Sequence, residues 1–304
     1  MRLLLAAALL LVSGAAARAD TILFVGNSFT YGHGSPVRFY RSDTVTDLNG
    51  EGIGGVPALF KSFTAEAGLD YQVSLETHPG IPLSWHVEHK LDALTAQPWD
   101  HVVLQGHSLL DPKTPGDPTN HAASAAALAQ ALRAKNPKAD VRVTATWARA
   151  DQVYPSSGHW YGKTIEQMTA DLRAGADKAA ADPAIKGVLP VGDAWIRAIH
   201  DGIADADPYD GIDAGKVDLW TYDNYHASAY GYYLEALVAF GGVTGLDPRS
   251  LGATECSGFE LGLSMDQVRA LEKVATDELA AQGMTLSVFP GKNESVPMRC
   301  AKPD

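Results

Sequence analysis

Three side chains have the types and spacing of a nucleophile, a base and an orienting acid. Ser28 follows the apolar run 21–25, which places its hydroxyl at the end of a predicted strand. Asp223 precedes His226 by three residues, so one turn can present a base together with the carboxylate that orients it. A serine hydroxyl is a weak nucleophile until an adjacent base accepts its proton. The pattern therefore predicts acyl transfer, with Ser28 as nucleophile, His226 as base and Asp223 as orienting acid.

Each of these residues also has a purely structural interpretation. Ser28 could cap the following turn, and Asp223 could be the N-cap of the helix that follows it. His226 could be a surface histidine at the start of that helix.

The surrounding chain alternates between strand and helix patterns. Strands are predicted over 21–25, 71–76, 101–105, 141–146 and 187–191, and helices over 56–67, 85–94, 122–134, 163–181, 227–240 and 265–282. Such alternation predicts a three-layer α/β/α sandwich in which helices cover both faces of a mostly parallel sheet. Sites in open sheets of this class lie at the carboxyl ends of the strands, where Ser28 is expected.

The segment 31–55 does not fit the alternation. It is long, glycine-rich and polar, and it directly follows the candidate nucleophile. Long loops in compact domains are often functional, so one interpretation makes it a wall of the substrate site. A surface excursion is the alternative.

The amino terminus has the pattern of a secretory signal peptide over residues 1–19. Arg2 precedes an apolar run at 3–12, and residues 17–19 form an A-x-A-like cleavage site before Asp20. The run is short for a transmembrane span, although an uncleaved anchor is an alternative. We therefore expect an exported protein, either periplasmic or secreted. Its catalytic domain is expected at 20–243, with an extension at 244–304 packed on that domain.

The net charge and the cysteine count indicate which partners are disfavoured and whether a disulfide is expected. The net charge is −12, which disfavours nucleic acid and anionic membranes as partners. Cys256 and Cys300 are the only cysteines, and in an exported protein such a pair predicts one disulfide. Two buried thiols are the alternative.

His86 and His89 have helical spacing for a metal, but without an obvious third ligand we expect a solvated surface.

The segments around Ser28, Asp223 and His226 resemble the SGNH (GDSL-like) hydrolase family over about residues 20–242. The resemblance implies a flavodoxin-like fold and hydrolysis of carboxylic esters through an acyl-serine. It also implies that the backbone N–H groups of Ser28 and Gly80 stabilise the oxyanion. Asn27 would brace the nucleophile loop, or would simply form a turn.

The segment after the third predicted strand departs from the general family pattern. Gln105-Gly106-His107-Ser108 replaces the usual Gly-x-Asn-Asp block and is similar to the Gln-Gly-Glu-Ser block of the sialate and xylan acetylesterase branch. That resemblance implies that the side-chain amide of Gln105 is the third oxyanion donor. His107 as the donor, or Gln105 as a satisfied polar group at a strand end, are the alternatives.

The resulting hypothesis is an exported serine esterase without a cofactor or a metal. Its expected substrate is a small-molecule or carbohydrate ester, and O-acetyl groups on carbohydrate are the class that the resemblance favours. A polysaccharide O-acetyltransferase that uses the same three residues is one alternative. A catalytically inactive glycan-binding module is another.

Overall fold

A single parallel sheet forms the centre of the fold. The computed structural model describes residues 18–289. Its strands are β1 (Asp20–Gly26), β2 (Thr46–Asp47), β3 (Tyr71–Thr77), β4 (His101–Gln105), β5 (Asp140–Ala145) and β6 (Gly187–Pro190). They pair in the order β2-β3-β1-β4-β5-β6, and every pairing is parallel. Because the strands are parallel, the segments that follow β1, β3 and β4 meet at one edge.

Helices surround this sheet. They are α1 (Ser28–Tyr31), α2 (Gly55–Glu66), α3 (Leu83–His89), α4 (Leu91–Leu94), α5 (Thr119–Lys135), α6 (Ala150–Val153), α7 (Ile165–Ala180), α8 (Val191–His200), α9 (Ala229–Thr244), α10 (Cys256–Glu260) and α11 (Met265–Ala281). Short 3₁₀ turns lie at Pro36–Phe39, Ser42–Thr44 and Pro248–Ser250. Between residues 18 and 289, no helix is both long and apolar enough to cross a bilayer.

The two faces of the sheet bury separate apolar clusters, which produces the predicted three layers. Along β1, Ile22 and Phe24 belong to a cluster that includes side chains of α2, α8, α9 and α11, whereas Leu23 and Val25 belong to one that includes side chains of α3 and α5. Successive side chains of a strand point to opposite faces, so a strand covered on both sides reads as a continuous apolar run. The predicted α/β fold class is therefore confirmed.

Several local features differ from the sequence prediction. Segment 31–55 contains two 3₁₀ turns and the edge strand β2 instead of a structureless loop. The helix predicted over 85–94 is divided into α3 and α4, because the backbone at Lys90 leaves the helical region (φ −128°, ψ 1°). The helix α8 follows β6 directly.

A stack of buried aromatic rings lies beneath the carboxyl edge of the sheet. Phe29 and Trp147 are parallel with ring centroids 3.9 Å apart, and Trp147 and Trp195 are parallel at 4.7 Å. Trp220 meets Trp195 edge to face at 5.2 Å. The stack joins α1, the segment after β5, α8 and the segment before α9 into one rigid floor.

The chain after α9 returns to pack on the same sheet layer. Helix α11 lies against α9 and α8 and begins at a capping box in which Ser264 and Gln267 exchange side-chain and backbone hydrogen bonds. Cys256 is buried at the start of α10. Cys300 and residues 1–17 lie outside the described residues, so the disulfide and the signal peptide stay predictions.

Truncation of the aromatic floor tests its contribution to stability. Trp195 is 1% exposed, whereas Tyr161 is 59% exposed. We expect Trp195→Ala to lower the free energy of unfolding by about 3–5 kcal/mol, because it removes a large buried side chain and leaves a cavity. Tyr161→Ala, the matched exposed control, is expected to change it by less than about 0.5 kcal/mol. Urea unfolding followed by circular dichroism measures both, and equal losses would contradict this account.

Candidate active site

Ser28 lies at the carboxyl end of the central strand β1. Asn27 is the N-cap of α1, and its side-chain oxygen accepts a hydrogen bond from the N–H of Phe29. Ser28 is therefore the first helical residue, and it is 4% exposed. A Cβ at Gly26 would approach Thr30 Oγ1 to 2.2 Å and Gln105 Oε1 to 2.7 Å, so only glycine fits at this sharp exit from the strand.

The structure brings the three chemistry-bearing side chains together. His226 Nε2 lies 2.9 Å from Ser28 Oγ, and His226 Nδ1 lies 2.7 Å from Asp223 Oδ2. Both are hydrogen-bond distances, and the imidazole lies between the hydroxyl and the carboxylate. This is the arrangement of a serine nucleophile, a base and an orienting acid.

A tight turn presents Asp223 and His226 on the same side. Asp223 Oδ1 accepts hydrogen bonds from the N–H groups of Tyr225 and His226, at 3.0 and 2.9 Å. Asn224 has a φ of +54°, which an asparagine tolerates better than most residues. The N–H of Thr221 donates to the carbonyl of His226 at 2.8 Å and closes the turn. The carboxylate is thus fixed by its own loop before it meets the imidazole.

The electrostatics of this pair favour a neutral imidazole beside an ionised carboxylate. Burial lowers the pKa of His226 below its ordinary value, and the charges of His33 and Arg149 lower it further, against the raising effect of Asp223. Burial raises the pKa of Asp223, but the hydrogen bonds from His226 and the turn N–H groups hold it below its ordinary value. At neutral pH the imidazole can therefore accept a proton.

The side-chain amide of Asn27 connects three segments at the sheet edge. Its Nδ2 donates to the carbonyl of Ile81 at 3.0 Å and to the carbonyl of Gly106 at 3.1 Å. Ile81 follows Gly80 in the segment after β3, and Gly106 follows β4. The residue before the nucleophile thus fixes both neighbouring loops.

Gln105 makes contacts different from those of the predicted oxyanion donor. Its Oε1 accepts from the N–H of Asn27 at 2.9 Å and from Thr30 Oγ1 at 3.0 Å, and its Nε2 donates to the carbonyl of Gly106. The side chain is 2% exposed. Gln105 therefore braces the nucleophile turn, and its predicted role as an oxyanion donor stays a prediction.

His107 follows Gly106, and its Nε2 has no hydrogen-bond partner among residues 18–289. Its Nδ1 accepts a hydrogen bond from the N–H of Leu109 at 3.2 Å, so the proton of the neutral ring is on Nε2. Burial and the charge of Arg149 lower the pKa of His107 to about 4. The ring is therefore a neutral donor at pH 7.

Two backbone N–H groups were predicted to stabilise the oxyanion, those of Ser28 and Gly80. Among residues 18–289, no acceptor is hydrogen-bonded to the N–H of Ser28 or of Gly80. The first N–H groups of a helix have no intrahelical partner, which explains the free group at Ser28. Gly80 has a φ of +68° and is exposed, with open space where a Cβ would lie.

Sequence reasoning missed three side chains around the base. The ring of His33 lies 4.4 Å from that of His226, and the ring of Tyr225 lies 3.9 Å from it. The guanidinium of Arg149 lies 3.4 Å from the Tyr225 ring centroid and pairs with Asp151 at 2.7 Å. His33 follows Ser28 by five residues, so its position in the sequence was a signal, whereas nothing in the sequence marked Arg149.

A buried acid–histidine pair supports the nucleophile turn from behind. His86 is 1% exposed, its Nε2 lies 3.0 Å from the carbonyl of Gly26, and its Nδ1 contacts the carboxylate of Glu76. Burial raises the pKa of Glu76, but His86, Asn49 and Lys90 hold it below its ordinary value. The expectation that His86 is a solvated surface residue is therefore wrong, whereas His89 is exposed.

Comparisons with known proteins place this architecture among solved folds. No family model and no curated protein matches the chain. A DUF4886 family protein from Bacteroides uniformis is 17% identical, with a TM-score of 0.60 over 90% of this chain and 98% of the other. A protein from Slackia heliotrinireducens, proposed to be an SGNH hydrolase, is 21% identical, with a TM-score of 0.52 over 74% of this chain and 100% of the other.

A third similar structure leads to the same conclusion. A proposed GDSL-like lipase from Parabacteroides merdae is 17% identical, with a TM-score of 0.54 over 75% of this chain and 96% of the other. At these identities the likeness concerns the fold. The chain therefore has the fold of the SGNH hydrolases and GDSL-like lipases, as its sequence predicted.

Proposed function

We propose that this protein is an exported serine esterase that hydrolyses short-chain carboxylic esters. The observation that carries the proposal is the continuous hydrogen-bonded chain from Ser28 Oγ through His226 to Asp223 Oδ2. A capping serine or a surface histidine needs no such chain. An inactive glycan-binding module would not require these three side chains to be hydrogen-bonded in this order.

The geometry supports a two-step acyl transfer. Ser28 Oγ attacks the ester carbonyl while His226 Nε2 accepts its proton, and Asp223 holds the imidazole in the required tautomer. The tetrahedral intermediate collapses as His226 returns the proton to the leaving alcohol, which gives an acyl-serine. His226 then removes a proton from water, which attacks the acyl group, and the acid and free Ser28 are released.

We assign the oxyanion to three donors. The N–H groups of Ser28 and Gly80 are free of protein acceptors among residues 18–289, and the hydrogen bond from Asn27 to Ile81 holds the Gly80 loop beside the nucleophile. As the third donor we choose the Nε2–H of His107 over Gln105, because the oxygen of Gln105 is bound to the nucleophile turn and one of its amide N–H groups donates to the carbonyl of Gly106. Donors arranged before reaction stabilise developing charge without reorganisation.

The proposals about the substrate class, export and the disulfide are supported by the sequence. The similarity of the segment 105–108 to the sialate and xylan acetylesterase block supports O-acetyl groups on carbohydrate as the substrate. The pattern at 1–19 supports export, and a disulfide between Cys256 and Cys300 suits an oxidising compartment. Mass spectrometry of the exported protein, before and after reduction and alkylation, tests cleavage before Asp20 and the disulfide together.

Removal of the nucleophile tests the activity directly. We expect Ser28→Ala to abolish hydrolysis of p-nitrophenyl acetate, because no other hydroxyl is hydrogen-bonded to His226 among the described residues. Wild type should prefer acetate to butyrate and octanoate. Initial rates on the three esters measure this, with a thermal melt to confirm that the variant folds. Undiminished turnover in Ser28→Ala contradicts the proposal, and no turnover by wild type on any ester would direct tests to glycan acceptors.

The pH profile should report the state of His226. Because its pKa is lowered from 6.5, its base form persists at neutral pH, and kcat/KM should fall only as the pH drops below that value. Asp223→Asn, which loses the carboxylate that orients the ring, should lower kcat by as much as about 10⁴-fold. Rates on p-nitrophenyl acetate across the acid range measure both. If kcat/KM already falls as the pH is lowered from 7.5 to 7, a group other than His226 limits catalysis.

The third oxyanion donor can be assigned by a pair of substitutions. His107→Ala should lower kcat by about 10²–10³ with little change in KM, as loss of one donor typically does. Gln105→Ala should lower stability by about 1–3 kcal/mol, because the N–H of Asn27 and the hydroxyl of Thr30 lose a buried acceptor. Steady-state kinetics and urea unfolding of both variants separate the roles. A change in kcat below about threefold in His107→Ala removes that residue from the oxyanion site.

A further inference from the structure

His33 lies beside the base and can act as a metal ligand together with Asp223 and His226. It takes no part in the hydrogen bonds that join Ser28, His226 and Asp223. One ligand atom each from His33, Asp223 and His226 lies within 4.8 Å of the other two. His33 is partly exposed, and its Nδ1 has only a long contact of 3.4 Å with the hydroxyl of Tyr31. Two imidazoles and one carboxylate are the ligand types of an open zinc site.

We propose that these three side chains bind Zn²⁺ reversibly and that the bound ion inhibits the enzyme. Three protein ligands leave the fourth tetrahedral position to water or to Ser28 Oγ. The binding site stands on its own geometry, whereas the inhibition rests on the proposed esterase function. The ion would be a regulator that competes with catalysis and takes no part in it.

The backbone of His33 is fixed next to the nucleophile, while its ring is partly exposed. Its N–H donates to the carbonyl of Ser28 at 3.1 Å, and its carbonyl accepts from the hydroxyl of Tyr232 at 3.2 Å. A tetrahedral zinc with bonds of about 2.0–2.1 Å needs its ligand atoms about 3.4 Å apart. The ring of His33 lies in a turn after α1, so rotation of this side chain can close the remaining gap.

Zinc on either nitrogen of His226 removes the base. A bond to Nε2 uses the lone pair that accepts the proton of Ser28. A bond to Nδ1 replaces the hydrogen bond to Asp223 and leaves the ring proton on Nε2, which faces Ser28. In both cases the zinc–nitrogen bond takes the electron pair that the reaction requires, and release of the ion restores it.

The surrounding charges limit the affinity without excluding the ion. Arg149 is a nearby cation, and its charge is paired with Asp151 at 2.7 Å. Asp223 supplies one negative charge directly to the site. A bound divalent ion therefore meets the carboxylate of Asp223 and a guanidinium whose charge Asp151 partly offsets, which suits reversible binding.

Direct binding can be measured without turnover. Ser28→Ala is titrated with Co²⁺, whose visible absorption reports tetrahedral coordination, and Zn²⁺ is then added to displace it. Adding His33→Ala or the size-conserving His33→Gln should weaken binding by at least about tenfold, since even a lost outer partner of a zinc ligand typically costs 10–100-fold. His89→Ala, which removes an exposed histidine outside the cluster, is the matched control and should bind as the parent does.

Inhibition is then measured against the zinc-free rate of each variant. Zn²⁺ should inhibit the hydrolysis of p-nitrophenyl acetate, a chelator should reverse it, and the half-inhibitory concentration should rise at least about tenfold in both His33 variants. Equal metal binding by the parent and both His33 variants would overturn the proposal. His33-dependent binding in a protein without esterase activity would establish the site and overturn the proposed function instead.

Discussion

The amide of Asn27 holds the candidate site together. Its two donated hydrogen bonds reach the loops after β3 and β4, and its oxygen caps the helix that begins at Ser28. Buried polar groups that lose a partner typically cost about 1–3 kcal/mol each, so the three loops are coupled through one side chain. Gln105 strengthens this coupling because it binds the backbone N–H of the same residue.

A second constraint acts from below and fixes the other half of the site. Trp147 stacks on Phe29, the neighbour of the nucleophile, and its indole N–H donates to the carbonyl of Tyr225, the neighbour of the base. One buried ring therefore spans the two segments whose separation determines the contact between Ser28 and His226. Close packing makes this separation hard to change. Catalysis requires this, because the nucleophile and its base must be held in a fixed geometry.

The sequence predicted the fold class and the positions of Ser28, Asp223 and His226, because apolar periodicity and short motifs depend on local spacing. The contacts of Gln105 could not be read in this way, since they depend on how three distant loops meet. His86 is an intermediate case. It lies three residues after Leu83, on the face of α3 that turns inward, so helical periodicity alone contained the signal of its burial.

The side chains around His226 illustrate a second limit of prediction from the sequence. Arg149 and Tyr225 contact each other across a gap of many residues in the chain, and no motif announces such a pair. His33 lies in a segment whose turns have no regular period. Long polar segments can be recognised as departures from the alternation, but which of their side chains reaches the site is decided by tertiary packing.

The hydrogen bond between Ser28 and His226 joins residues that are 198 positions apart. Contacts of such long sequence separation form late, because the intervening chain must first be ordered. Until α9 has docked, the hydroxyl at the end of β1 is an ordinary serine with no base beside it. The reactivity of this chain thus emerges only with its completed fold, and a newly made or still unfolded molecule carries no activated nucleophile.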